Sequence, residues 1–145
     1  MTSALVDTGP LVAFLNRKDT HHAWAVEVLS QASSPLLTCE AVLSEATFLT
    51  ASLGGGAELL SLVHRGLVQP VFRVQDEAKA VETLLRRYAS LPMHFADACL
   101  VRMSDLYPES VLLTIDTEFR DIYRRRDRRV IPCRLPPGAW PVTRS

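Results

Sequence analysis

Residues 3–15 read SALVDTGPLVAFL, and how this stretch is parsed decides the fold. Residues 3–6 form a short buried-strand pattern that ends on an acid, Asp7. Thr8-Gly9-Pro10 breaks the strand, and a helix over 11–15 follows, with proline near its first turn, where a missing N–H is tolerated. The same order returns late in the chain: 110–114 is the clearest strand pattern, Asp116 follows it, and 117–123 reads as a short helix. Strands that each deliver an acid and then a helix predict βα units.

Working outward, helical patterns cover 21–31, 39–52, 57–64, 76–88 and 94–106. Asp19 or Thr20 is placed to cap the first and Thr38 the second, while Gly54-Gly55-Gly56 stops the second before the third begins. Residues 36–37 and 129–133 read as strands, and 68–74 as an extended segment that Pro70 keeps peripheral. Strands separated by helices predict an α/β fold: a single three-layer domain over 1–145, with a central parallel sheet flanked by helices and an irregular tail from about 135. Ligands of such sheets bind beyond the carboxyl ends of the strands, where Asp7 and Asp116 both arrive.

The composition fits this picture. A chain of 145 residues holds one core of ordinary size, and 48% hydrophobic with 22% charged residues excludes disorder. The formal net charge of zero advertises no nucleic-acid partner by itself. Cys39, Cys99 and Cys133 are far apart, in apolar contexts and without a C-x-x-C pair, so they read as buried reduced thiols in a cytoplasmic protein. No stretch reaches the roughly 20 apolar residues that span a bilayer, so no membrane partner is expected.

Four acids lie where acids are costly. Asp7 and Asp116 follow strands; Glu45 and Asp97 lie on helices among apolar neighbours. Residues three and four positions from Glu45 are Ala41, Val42, Phe48 and Leu49, which predicts that it points toward the core, whereas Glu40 in the first turn merely complements the helix dipole. Asp97 has Met93, His94, Leu100 and Val101 on its face, while Asp105, beside Arg102, reads as solvated. Taken singly, each acid could be capped or paired with arginine. Together they call for a hard divalent cation, and a donor set of oxygens alone favours Mg²⁺ or Mn²⁺ over zinc.

The stretches LVDTGPLVAFLN (5–16), LLTCEAVLSEATFL (36–49), HFADACLV (94–101) and VLLTIDTEF (111–119) resemble, in order and spacing, those of PIN-domain ribonucleases, in particular the VapC-type toxins of bacterial toxin–antitoxin pairs. The resemblance implies that Asp7, Glu45, Asp97 and Asp116 form a catalytic metal pocket for one or two Mg²⁺ or Mn²⁺ ions. Thr8 and Thr114 match positions whose hydroxyls support the metal shell. It implies hydrolysis of RNA to 5′-phosphate and 3′-hydroxyl ends, a small antitoxin protein that blocks the pocket, and a homodimer through the helices of 38–64. The chain departs from the family at Gly9, where many members carry a polar residue, often Asn.

Arg124, Arg125, Arg126, Arg128 and Arg129 fall within six positions. They suit bidentate contacts to RNA phosphates. They equally suit a solvated face paired with Glu118, Asp121 and Asp127, or a dock for an acidic peptide. Two readings of the whole chain compete with the nuclease: a non-catalytic PIN-like interaction module, and an acidic-pocket phosphatase or phosphotransfer protein. The second lacks its D-x-D, since Thr8 and Gly9 follow Asp7.

Overall fold

The computed structural model describes residues 3–32 and 35–138. Along the chain run β1 (Ala4–Val6), α1 (Thr8–Leu15), α2 (His22–Gln31), β2 (Leu36–Thr38), α3 (Glu40–Leu49), a 3₁₀ turn (Ala51–Leu53), α4 (Gly55–His64), β3 (Val68–Pro70), α5 (Val74–Arg87), α6 (Phe95–Leu106), β4 (Val111–Leu113), α7 (Glu118–Asp121) and β5 (Cys133–Arg134). The five strands form one sheet in the order β3-β2-β1-β4-β5, every pair parallel. Helices flank it in the expected three-layer α/β arrangement.

Strand β1 is central and buried at all three positions, which is why its sequence is apolar without alternation. Val6 pairs with Leu113 of β4, and the Asp7 N–H continues the ladder to the Leu113 carbonyl at 3.0 Å. From β1 the chain moves outward through β2 to β3. It then crosses back to β4 and moves the other way to β5. The crevice beyond the carboxyl ends of β1 and β4 is therefore the topological switch point, where doubly wound sheets bind ligands. Leu5, Leu11, Val42, Leu100, Met103, Leu112, Phe119 and Tyr123 fill the core. Helix α1 packs against α2, α3 and α4, and α5 against α6. No described helix is long and apolar enough to cross a membrane.

Several elements differ from the sequence expectation. Helix α1 begins at Thr8 because the Asp7 carboxylate accepts the Thr8 N–H at 2.7 Å and caps it, so Thr8-Gly9-Pro10 is its first turn and not a break. Thr38 does not cap α3: it closes β2, and its hydroxyl donates to the Val6 carbonyl at 2.8 Å. Gly55 and Gly56 lie inside α4, and only Gly54 is left-handed, at φ 69°. A Cβ on Gly55 would lie 2.3 Å from the Thr50 hydroxyl, so close packing of α4 on α3 accounts for the glycine. The last strand is displaced to Cys133–Arg134 because Arg124 and Val130 first bridge to form a turn. Asp105 is shielded, not solvated: it lies 3.8 Å from Arg102 and accepts the Arg126 N–H at 3.0 Å. Residues 135–138 carry no helix or strand, and the rest of the expected tail lies outside the described residues.

Candidate active site

The switch point gathers the acids through two threonines. Asp7 is buried, with its Oδ1 on the Thr8 N–H and its Oδ2 accepting the Thr114 hydroxyl at 2.7 Å. The same Thr114 oxygen accepts the Asp116 N–H at 3.0 Å, which fixes the turn after β4. On the other side the Thr8 hydroxyl donates to Glu45 Oε2 at 2.9 Å. One chain of hydrogen bonds thus runs Glu45–Thr8–Asp7–Thr114–Asp116. Asp97 approaches from α6, where it is the third residue of the helix. Its carboxylate accepts the His94 N–H at 3.0 Å, and the His94 side chain accepts the Asp97 N–H in return.

The charges of these groups reach one another. Burial pushes Asp7 up from the ordinary 3.8 to about 7, against the pull of its bonds to Thr114 and Thr8, with Asp97 and Asp116 adding repulsion. Burial also raises Asp97, to about 6, and the carboxylates of Asp116 and Glu45 add to the rise. Tyr123, whose hydroxyl donates to Glu118 at 2.8 Å, is raised chiefly by burial and also by Asp97 and Asp116.

As the side chains stand, no three Asp, Glu, His or Cys residues among the described ones close on a single ion. The donor set nevertheless fits a hydrated Mg²⁺ or Mn²⁺. Its members nearest Asp7 are oxygens, and Mg²⁺ binds through one or two carboxylates while keeping several waters. Burial and mutual repulsion make the ionised forms of Asp7 and Asp97 costly in the fold, a cost that a divalent cation offsets.

Glu45 is half-buried, at the border between core and surface on α3. Of its face neighbours Val42 is buried in the core, as is Ala46 beside it, whereas Phe48 is 80% exposed and Leu49 59%. His94 was not legible as part of the site, although an acid three positions into a helix that follows Pro92 is the sequence mark of such a box. Ile115 carries no such signal in the sequence. It fills the space beside Gly9, where a Cβ would lie 2.3 Å from Ile115 Cγ1, so this chain has no room there for the polar side chain that the resemblance led one to expect. Gly9→Ala should therefore destabilise the fold by about 1–3 kcal/mol, read as a lower melting temperature.

Thr114→Val tests the hydrogen-bonded chain. It keeps the shape but removes the donor to Asp7 and the acceptor for Asp116 N–H. Urea unfolding should show a loss of about 1–3 kcal/mol with an unchanged m-value.

The arginine cluster lies elsewhere. Arg124 donates to the carbonyls of Arg120 and Tyr123 at 3.1 and 2.8 Å, capping α7, and Arg125 Nε donates to Ser104 at 2.7 Å. Arg126, Arg128 and Arg129 are exposed, with Arg129 3.5 Å from Asp127 and Arg128 left-handed at φ 73°. Ser104 is seven residues along α6 from Asp97, roughly 10 Å of helical rise. The five arginines thus form a turn beside the pocket, not one basic face. Cys39 and Cys99 are buried, Cys133 is half-buried, and all three are free.

These features define a doubly wound α/β protein with an acidic centre at its switch point. The family model for the PIN domain matches residues 4–125, and the chain belongs to that family. Among solved structures it is similar to the Mycobacterium tuberculosis toxin VapC20, described as cleaving the sarcin–ricin loop. The two are 19% identical with a TM-score of 0.69, over 80% of this chain and 92% of that one, a likeness of fold. No curated protein sequence matches the chain.

Proposed function

We propose that this single-domain chain is a Mg²⁺- or Mn²⁺-dependent endoribonuclease, the toxin of a type II toxin–antitoxin pair. The observation that carries the reading is Asp7, buried at the switch point, held by Thr8 and Thr114 and repelled by Asp97 and Asp116. Family membership and the likeness in fold to a toxin described as cleaving the sarcin–ricin loop support it.

Asp7 and Asp97 would hold the ion directly, and Asp116 a second ion where two bind. The bound ion supplies positive charge against the scissile phosphate and acidifies a water at neutral pH. The chain's own groups do the positioning. Thr114 aims Asp7, the His94 box aims Asp97, and Thr8 pins one oxygen of Glu45 so that the other can orient the attacking water. With both Asp7 oxygens already accepting hydrogen bonds, a ligand's role suits it better than that of a phosphotransfer nucleophile. Exposed Arg126, Arg128 and Arg129 are available to RNA phosphates, whereas Arg124 and Arg125 are engaged within the protein.

Phe48, Leu49, Leu53 and Leu60 are exposed along α3, the 3₁₀ turn and α4. That apolar face supports docking of an antitoxin or a second copy, since contiguous exposed apolar surface marks interaction sites. The free cysteines fit a reducing compartment such as the cytoplasm. The test is cleavage of RNA by purified protein: Mg²⁺ or Mn²⁺ should be required and EDTA should stop it. Cutting that persists in EDTA would sink the reading.

A further inference from the structure

Resting on the nuclease reading, we propose that the groove lined by Phe95, Arg73, Val74, Gln75 and Glu40 is a subsite for an unpaired nucleobase of single-stranded RNA, with Phe95 as its stacking face. The groove holds about 430 Å³, within the roughly 300–1,000 Å³ of small-ligand sites. Pro70, the last residue of β3, lies on its wall, and so does Cys39, the residue after β2, so it opens at the same sheet edge as the acids.

The groove and the acidic pocket are built from the same elements, α3 and α6. Thr38, next to Cys39, is bonded to the Val6 carbonyl immediately before Asp7. Ala41, also on the groove wall, lies one turn before Glu45 on the same face of α3. Phe95 stands two residues before Asp97 and is 48% exposed, a large aromatic ring that the core does not use. In single-stranded RNA recognition, bases splay out and stack on such rings.

The rim supplies the polar contacts. The Arg73 guanidinium pairs with Asp76 at 3.0 Å, and both side chains are well exposed, so it can exchange that contact for a phosphate. The Gln75 amide and the Glu40 carboxylate offer a donor and acceptors for a base edge. In the neighbouring groove between α5 and α6 the charges answer one another instead, with Arg102 3.1 Å from Glu77.

The experiment compares kcat/KM for a labelled single-stranded RNA with that for bis(p-nitrophenyl) phosphate, a phosphodiester without a base. Phe95→Ala should lower the RNA-to-diester ratio roughly 5- to 100-fold, and Phe95→Trp should restore it. An unchanged ratio in Phe95→Ala, with the wild type still cutting RNA, overturns the subsite alone and leaves the groove to a peptide partner. A wild type that cuts neither substrate with Mg²⁺ or Mn²⁺ overturns the nuclease reading and the subsite with it.

Discussion

Asp7→Asn should abolish metal-dependent RNA cleavage and, in metal-free protein near neutral pH, raise the melting temperature. The loss of activity follows from position: Asp7 is the most buried of the four acids and accepts hydrogen bonds from both the Thr8 N–H and the Thr114 hydroxyl. Removing an outer-shell partner of a metal site costs about 10- to 100-fold, so removing a direct ligand should cost more than about a hundredfold. The gain in stability follows from electrostatics. Holding an acid at about 7 instead of 3.8 means that its ionised form costs on the order of 4 kcal/mol in the fold, as an upper figure. Asparagine removes that charge and can still accept the Thr8 N–H with its oxygen while its amide meets the Thr114 hydroxyl. Some of the gain is lost in that rearrangement; about 2 kcal/mol, or roughly 4–8 °C, should remain. A purely architectural Asp7, needed only to cap α1, gives the opposite sign: Asp7→Asn would then melt lower in EDTA. Scanning fluorimetry of both proteins in EDTA, beside RNA cleavage in Mn²⁺, reads both effects.

The sequence carried the sheet and its acids well, for a local reason. An apolar run that stops at an acid is legible without tertiary information, so β1, β4, Asp7 and Asp116 lie where the pattern put them. Pro70 marked an edge strand because proline cannot donate to a ladder, and β3 is at the edge. Periodicity failed at α3. It finds an apolar face but does not say what covers it: of the neighbours of Glu45, Val42 is buried, whereas Phe48 and Leu49 are surface. Long-range packing was invisible in the same way. Gly9 reads as a turn residue, and only the fold shows Ile115 in the space beside it. The displacement of β5 has this origin too: its position is set by pairing with Leu112 and Leu113 after an intervening turn.

Stability of the metal-free protein should fall as pH rises, and Mn²⁺ should reverse the trend. In the fold Asp7 keeps its proton up to about 7 and Asp97 up to about 6, whereas both lose it near 3.8 when unfolded. Between roughly pH 4 and 7 the native state thus binds more protons than the unfolded chain, and stability declines as protons become scarce. Below about pH 4 both states are protonated and the contribution is fully present; above about pH 7 it is gone. Asp97 is partly exposed and should weigh less than Asp7. Other carboxylates titrate in the same range, so the quantity to measure is the difference between wild type and Asp7→Asn, in which they cancel. A cation needs its carboxylates deprotonated, so its stabilisation grows through the same window in the opposite direction. At about a hundred times its dissociation constant it contributes about 2.7 kcal/mol, a shift of roughly 5–10 °C near pH 8 that should nearly vanish near pH 5. An equal Mn²⁺ shift at both pH values would mean that the ion binds away from Asp7, and the four acids would then need a different partner.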